Sequence, residues 1–167
     1  LSDSRNGGLA GEFCFSETIN STFSNLGGAM NFVSKSDVKI TNSLFLNNTA
    51  TTLQPDGGGL FMKNGKSTYI ESTLFLGNTA KRGGAVALFN SKQVVLSDTV
   101  YFGENVATHG GGGGLLWSGF RPSFSFKNSS SFNQNVAMYG NSFASTTTAI
   151  RVNSPSSLNI PSSNIKP

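Results

Sequence analysis

The sequence predicts an all-β solenoid, a parallel β-helix of about five coils with 26–30 residues per coil, and two recurring landmarks carry that prediction. The first is Phe-x-x-Asn-x-Ala, found at Phe45–Ala50, Phe75–Ala80, Phe102–Ala107 and Phe132–Ala137, with successive Phe positions 30, 27 and 30 residues apart. The second is a glycine cluster beginning at Gly27, Gly57, Gly83 and Gly112, with spacings of 30, 26 and 29. Between the landmarks, short runs such as Asp37–Ile40, Thr68–Ile70 and Gln93–Leu96 gather β-branched and apolar residues at strand length, with no 3.6-residue period. Units of this size that correspond residue for residue stack like over like, so that each buries its inner face against the next.

Residues 1–26 read as a degenerate first coil or cap, in which Gly7-Gly8-Leu9 imitates the glycine motif and Phe23-Ser24-Asn25 a shortened corner. Residues 27–143 carry the repeats, with good units at 27–50, 57–80, 83–107 and 112–137. The insertion Thr51–Asp56 is expected to leave a corner as a loop, and residues 144–167 form a Ser/Thr/Pro-rich tail or linker.

Within a unit each landmark has a structural task. Phe45, Phe75, Phe102 and Phe132 are expected to point inward as an aromatic stack, with Ser43, Thr73, Val100 and Ser130 two places earlier on the same face. Asn48, Asn78, Asn105 and Asn135 are expected to form a corner ladder, their amides satisfying polar groups that a turn would otherwise bury unpaired. Asn also tolerates the left-handed backbone of a tight corner. The strand after each glycine cluster has one plainly apolar face, Met30 and Phe32, Leu60 and Met62, Val86 and Leu88, Leu115 and Trp117. Its opposite face is half apolar, and Phe61, Phe89 and Leu116 there are expected to be covered, by a terminal segment of the chain or by a neighbouring chain.

The alternation of Phe-x-x-Asn with Gly-Gly-Ala-aliphatic resembles the repeat of the chlamydial polymorphic outer membrane proteins, over roughly residues 23–143. Gly27–Met30 and Gly83–Val86 match its glycine motif, whereas Gly57–Leu60 and Gly112–Leu115 have Gly in place of Ala. The resemblance implies a right-handed parallel β-helix outside the cell or on its surface, commonly in adhesion, and carries no catalytic residues.

Composition narrows the function classes. Charged residues make up 12% of the 167, about half the share usual in globular proteins, which suits uncharged stacked ladders. The net charge of +4 comes from dispersed Lys and Arg, without a basic patch interleaved with aromatics, so no nucleic-acid partner is expected. Cys14 is the single cysteine, which excludes an internal disulfide framework and a Cys-based metal site. The chain starts at Leu1, without a leader or an apolar run of membrane-spanning length, and reads as a mature or excised part of a secreted protein. Sequons at Asn20, Asn47 and Asn128 fit that route, and Asn47, beside ladder residue Asn48, is the strongest candidate for N-glycosylation.

Enzymes built on such coils need gathered carboxylates. The eight acids here are spread out, Glu71 and Asp98 alone standing at nearly corresponding places on adjacent coils, and His109 sits among glycines without a motif partner. A Thr column of the kind that orders ice breaks off where Thr49 and Thr79 give way to Val106 and Val136. The expectation is a non-catalytic extracellular structural or adhesive protein, without metal or cofactor, partnered by other protein chains as a homo-oligomer or filament subunit. The alternative is a carbohydrate-binding or carbohydrate-cleaving β-helix, which solvent-facing aromatics beside Glu71 and Asp98 would favour.

Overall fold

The computed structural model describes residues 9–11, 15–19, 22–23, 28–33, 36–50, 55–97, 99–124 and 131–146, with the first three segments and residue 124 described as backbone only. Cys14, Asn20, Asp98, Asn128 and Ser130 lie outside the described residues, and Asn47 within them.

The chain winds through three parallel sheets in turn. The first pass is β1 (Leu9–Gly11), β2 (Phe15–Ile19) and β3 (Thr22–Phe23); the second is β4 (Met30–Val33), β5 (Asp37–Thr41) and β6 (Leu44–Leu46). The third is β7 (Leu60–Lys63), β8 (Ser67–Glu71), β9 (Leu74–Leu76) and the short β10 (Thr79–Ala80). The fourth repeats it as β11 (Val86–Phe89), β12 (Gln93–Leu96), β13 (Tyr101–Gly103) and β14 (Val106–Ala107). Then follow β15 (Leu115–Ser118), β16 (Ser123–Phe124) and β17 (Phe132–Asn133), and β18 (Phe143–Ser145) starts a further pass. Sheet A is β1-β4-β7-β11-β15-β18, sheet B is β2-β5-β8-β12-β16 and sheet C is β3-β6-β9-β13-β17, while β10 and β14 pair as a fourth, two-stranded sheet.

This is the parallel β-solenoid that the repeat period predicts. Five passes through sheet B bound four full turns, slightly fewer than the five coils expected, because the last pass is opened but not closed within the described residues. Strand β18 also crosses the boundary drawn at residue 144, since Ala144 and Ser145 pair with Leu116 and Trp117.

Register is fixed by the apolar period. Met30, Leu60, Val86 and Leu115 stand over one another, as do Ile40, Ile70 and Leu96, and all are buried. A slip of one residue would turn each of these columns outward. The Phe stack fills the space between the sheets: ring centroids are 4.6 Å apart for Phe45–Phe75, 5.1 Å for Phe75–Phe102 and 4.8 Å for Phe102–Phe132, with planes within 15° of parallel.

Each corner is turned by a residue in the left-handed region, and these too fall in columns. Asn47, Gly77, Glu104 and Gln134 turn the corner after sheet C; Asn64, Asn90 and Gly119 turn the one after sheet A; Gly57, Gly83, Gly112 and Gly140 turn the one that re-enters sheet A. The ladder asparagines are not the left-handed residues, contrary to expectation. The strained position is the one before each of them, which swings the ladder side chain inward while its predecessor faces water.

Candidate functional site

The asparagine ladder is the best-ordered polar feature. Nδ2 of Asn48 donates to Oδ1 of Asn78 at 2.8 Å, Asn78 to Asn105 at 2.9 Å and Asn105 to Asn135 at 2.9 Å. Each accepting Oδ1 also takes the backbone N–H of the preceding rung, at 3.1, 2.9 and 3.0 Å. The other Nδ2 proton of Asn78, Asn105 and Asn135 points back to the carbonyl of Phe45, Phe75 and Phe102. A buried amide satisfied four ways removes the desolvation penalty of the corner. The ladder is therefore a scaffold, and the surfaces it holds are where function must lie.

The outer face of sheet A is not such a surface. Phe61, Ala87 and Leu116 are 6%, 0% and 0% exposed within the single chain. Ala87 and Leu116 are covered by the corner that re-enters the sheet: a Cβ on Gly83 would stand 2.9 Å from that of Ala87 and 3.1 Å from that of Leu116, so the main chain itself lies over them. Phe89 is half-buried against Phe61, with ring centroids 5.7 Å apart, and Arg82 spreads over its outer side, Cζ 5.3 Å from the ring centre. Phe61 and Leu116 are thus buried within the single chain, without a neighbouring chain to cover them.

The sequence reading also passed over Asp56 and Arg82. They occupy the same repeat position, one before Gly57 and Gly83, and form a two-pronged ion pair with Asp56 buried. Their one-coil spacing and opposite charge were the available signal.

Sheet C presents an apolar outer face. In its registry Leu44, Leu74 and Tyr101 form one outward column, and Leu46, Leu76 and Gly103 the next. Leu74 is 42% exposed and the other three leucines and Tyr101 are half-buried. Gly103 completes the surface by lacking a side chain: a Cβ there would stand 2.7 Å from the Tyr101 ring and 2.9 Å from Leu76, so the ring lies across it. Searches against protein-family models, curated proteins and solved structures found no match. The face must therefore be read from its own chemistry.

On sheet B the outward residues are polar apart from Val95. Asp37 accepts hydrogen bonds from Ser67 Oγ and, at 3.2 Å, from Lys66 Nζ, which together hold its carboxyl below the usual carboxylate range. Tyr69 keeps 37% of its surface exposed, and partial desolvation, with the Glu71 carboxylate beside it, raises its phenol above the ordinary value. His109 is exposed, its Nδ1 2.8 Å from Thr108 Oγ1. Among the described residues no group of three His, Cys, Asp or Glu is placed to hold a metal ion, and no helix is long and apolar enough to cross a membrane.

Proposed function

We propose that this chain is a non-catalytic structural or adhesive β-solenoid, displayed outside the cell or on its surface, and that it joins other protein chains through the outer face of sheet C. The observation that carries the reading is the block of Leu44, Leu46, Leu74 and Leu76 standing in register with Tyr101 beside it. Contiguous apolar surface on a rigid sheet costs free energy in water and recovers it when a partner covers it. A second copy of the chain is the natural first partner, because two flat columns of leucine at strand spacing interdigitate with themselves. The resemblance to polymorphic outer membrane protein repeats supports the same class.

Sedimentation velocity over a range of concentrations tests it. Wild type is expected to self-associate, and Leu44→Lys with Leu74→Lys to remain monomeric with unchanged thermal unfolding. A wild type that stays monomeric throughout would remove the reading. The extracellular part is tested separately by passing the chain through a eukaryotic secretory route, where exposed Asn47, on its outward corner, is expected to carry an N-glycan. Mass spectrometry finding it unmodified would reject that part.

A further inference from the structure

The leucine face of sheet C has an acceptor for a bulky modification at its rim. Asn47 follows directly on β6, and its backbone N–H donates to the Leu76 carbonyl at 2.9 Å, so the residue continues the edge of the Leu46–Leu76 column. Its left-handed φ of 52° breaks the inward–outward alternation here, and Leu46 and Asn47 both face outward, the first half-buried and the second exposed. One coil on, the equivalent corner residue is Gly77, where an added Cβ would meet the Asn47 amide. The Asn47 side chain therefore reaches toward the later coil, beside Leu76, over space that Gly77 leaves open.

The sequon is held rigidly. Asn47 and Thr49, the two positions that define an N-glycosylation acceptor, are exposed, while Asn48 between them is fully buried as a ladder rung. Asn48 donates to Asn78 through both its backbone N–H and its Nδ2, and Ala50 N–H donates to the Thr79 carbonyl at 2.8 Å. A glycan at Asn47 would thus rise from a fixed stem and not from a loop that could swing it aside.

Size decides what such a glycan does. Two packed sheets stand about 10 Å apart, with side chains filling the gap. The stem at Asn47 lies next to Leu46 and Leu76, which a second chain must cover in order to bury the face. A glycan rooted there is bulky and hydrated, and does not fit into a gap of that width.

We propose that an N-glycan on Asn47 masks the leucine face of sheet C, so that the glycosylated chain stays single and the unmodified chain associates. The mask rests on the reading that this face joins copies of the chain, and preparing both forms keeps the two apart.

Chain made in a bacterial host without N-glycosylation reports on the face alone. The same chain secreted by a eukaryotic host, with occupancy of Asn47 read by mass spectrometry, reports on the glycan. In sedimentation velocity the bacterial chain is expected to associate, and the secreted chain to require at least about tenfold higher concentration to do so. Thr49→Ala destroys the sequon and leaves Asn47 in place. Asn47→Gln removes the acceptor at a corner whose equivalent two coils beyond Gly77 is Gln134, in the same left-handed conformation. Neither touches the sequons at Asn20 and Asn128. Association restored in either secreted variant supports the mask. A bacterial chain that stays monomeric would remove the sheet C reading, and the mask with it. A bacterial chain that associates, matched by equal association of the secreted wild type, would overturn the mask alone. So would an unoccupied Asn47, or secreted variants that both remain monomeric.

Discussion

Asp56 and Arg82, one coil apart, close a two-pronged ion pair in which Oδ1 accepts from Nε at 2.8 Å and Oδ2 from Nη2 at 2.6 Å. The two side chains are unequally placed, 7% exposed for Asp56 and 46% for Arg82. Removing Arg82 strands a carboxylate that water cannot reach, whereas removing Asp56 leaves a guanidinium that water half covers. Asp56→Ala is therefore expected to cost about 1–2 kcal/mol and Arg82→Ala about 2–4 kcal/mol, with solvent screening of the arginine limiting both. Urea denaturation of the two variants and their double mutant measures the asymmetry, and equal losses would contradict it.

The asparagine ladder makes a second prediction. Asn78→Ala orphans the forward donors of Asn48 and is expected to cost about 1–3 kcal/mol. Asn78→Asp should cost more, because a carboxylate oxygen would face Oδ1 of Asn105 where an Nδ2 proton now points. Asn135→Ala orphans the same two donors on Asn105 and should cost a comparable amount. Thermal unfolding checks it, with the loss for Asp above that for Ala at position 78 and comparable losses for Ala at positions 78 and 135.

Left-handed corners differ in what they tolerate. At Gly77 an added Cβ meets the Asn47 side chain, and the equivalent coils already hold Asn47, Glu104 and Gln134 in the same conformation, so Gly77→Asn should be nearly neutral. At Gly112 an added Cβ would come within 2.4 Å of the Leu115 carbonyl oxygen, and Gly112→Ala should cost at least about 2 kcal/mol. Equal effects at the two sites would mean that φ alone governs these corners.

The pH dependence of Asp37 has a definite sign. Its folded pKa is lowered, first by the Ser67 hydrogen bond and then by that from Lys66. The pair therefore contributes stability above the unfolded value near 3.9 and loses it as pH falls through the folded value, a window below about pH 4. Carboxyl-carbon NMR should place the Asp37 midpoint below that of an ordinary aspartate. Ser67→Ala should raise it more than Lys66→Gln does.

Much of the scaffold was legible because a solenoid writes its geometry into its period. The residues that stack are those that recur, so the Phe and Asn columns could be read by counting. Surfaces were harder to read. Leu44-Phe45-Leu46 and Leu74-Phe75-Leu76 drew attention to their central Phe, and the flanking leucines, outward by simple alternation, went unremarked as a face. The outer side of sheet A was read as needing a cover, from a terminal segment or a neighbouring chain, because alternation says which way Ala87 and Leu116 point but not that a glycine corner folds back over them. Asp56 and Arg82 looked unrelated because distance along the chain is a poor guide where each turn of 26 to 30 residues advances the axis by a single strand spacing.

The ladder also has a direction. Every rung donates toward the later coil, from Asn48 through Asn78 and Asn105 to Asn135, so the aligned amide dipoles add along the axis as peptide dipoles do along a helix. The Nδ2 group of Asn135 donates back to Phe102, and its forward proton has no acceptor among the described residues. The two ends of the described ladder are thereby chemically distinct, one terminating in an offered hydrogen. A coil continuing the stack beyond Asn135 has to bring an acceptor to that corner, and an alanine or a lysine there would leave the rung unmet. Such a column gives the stack a polarity, in which every coil must face the same way along the axis.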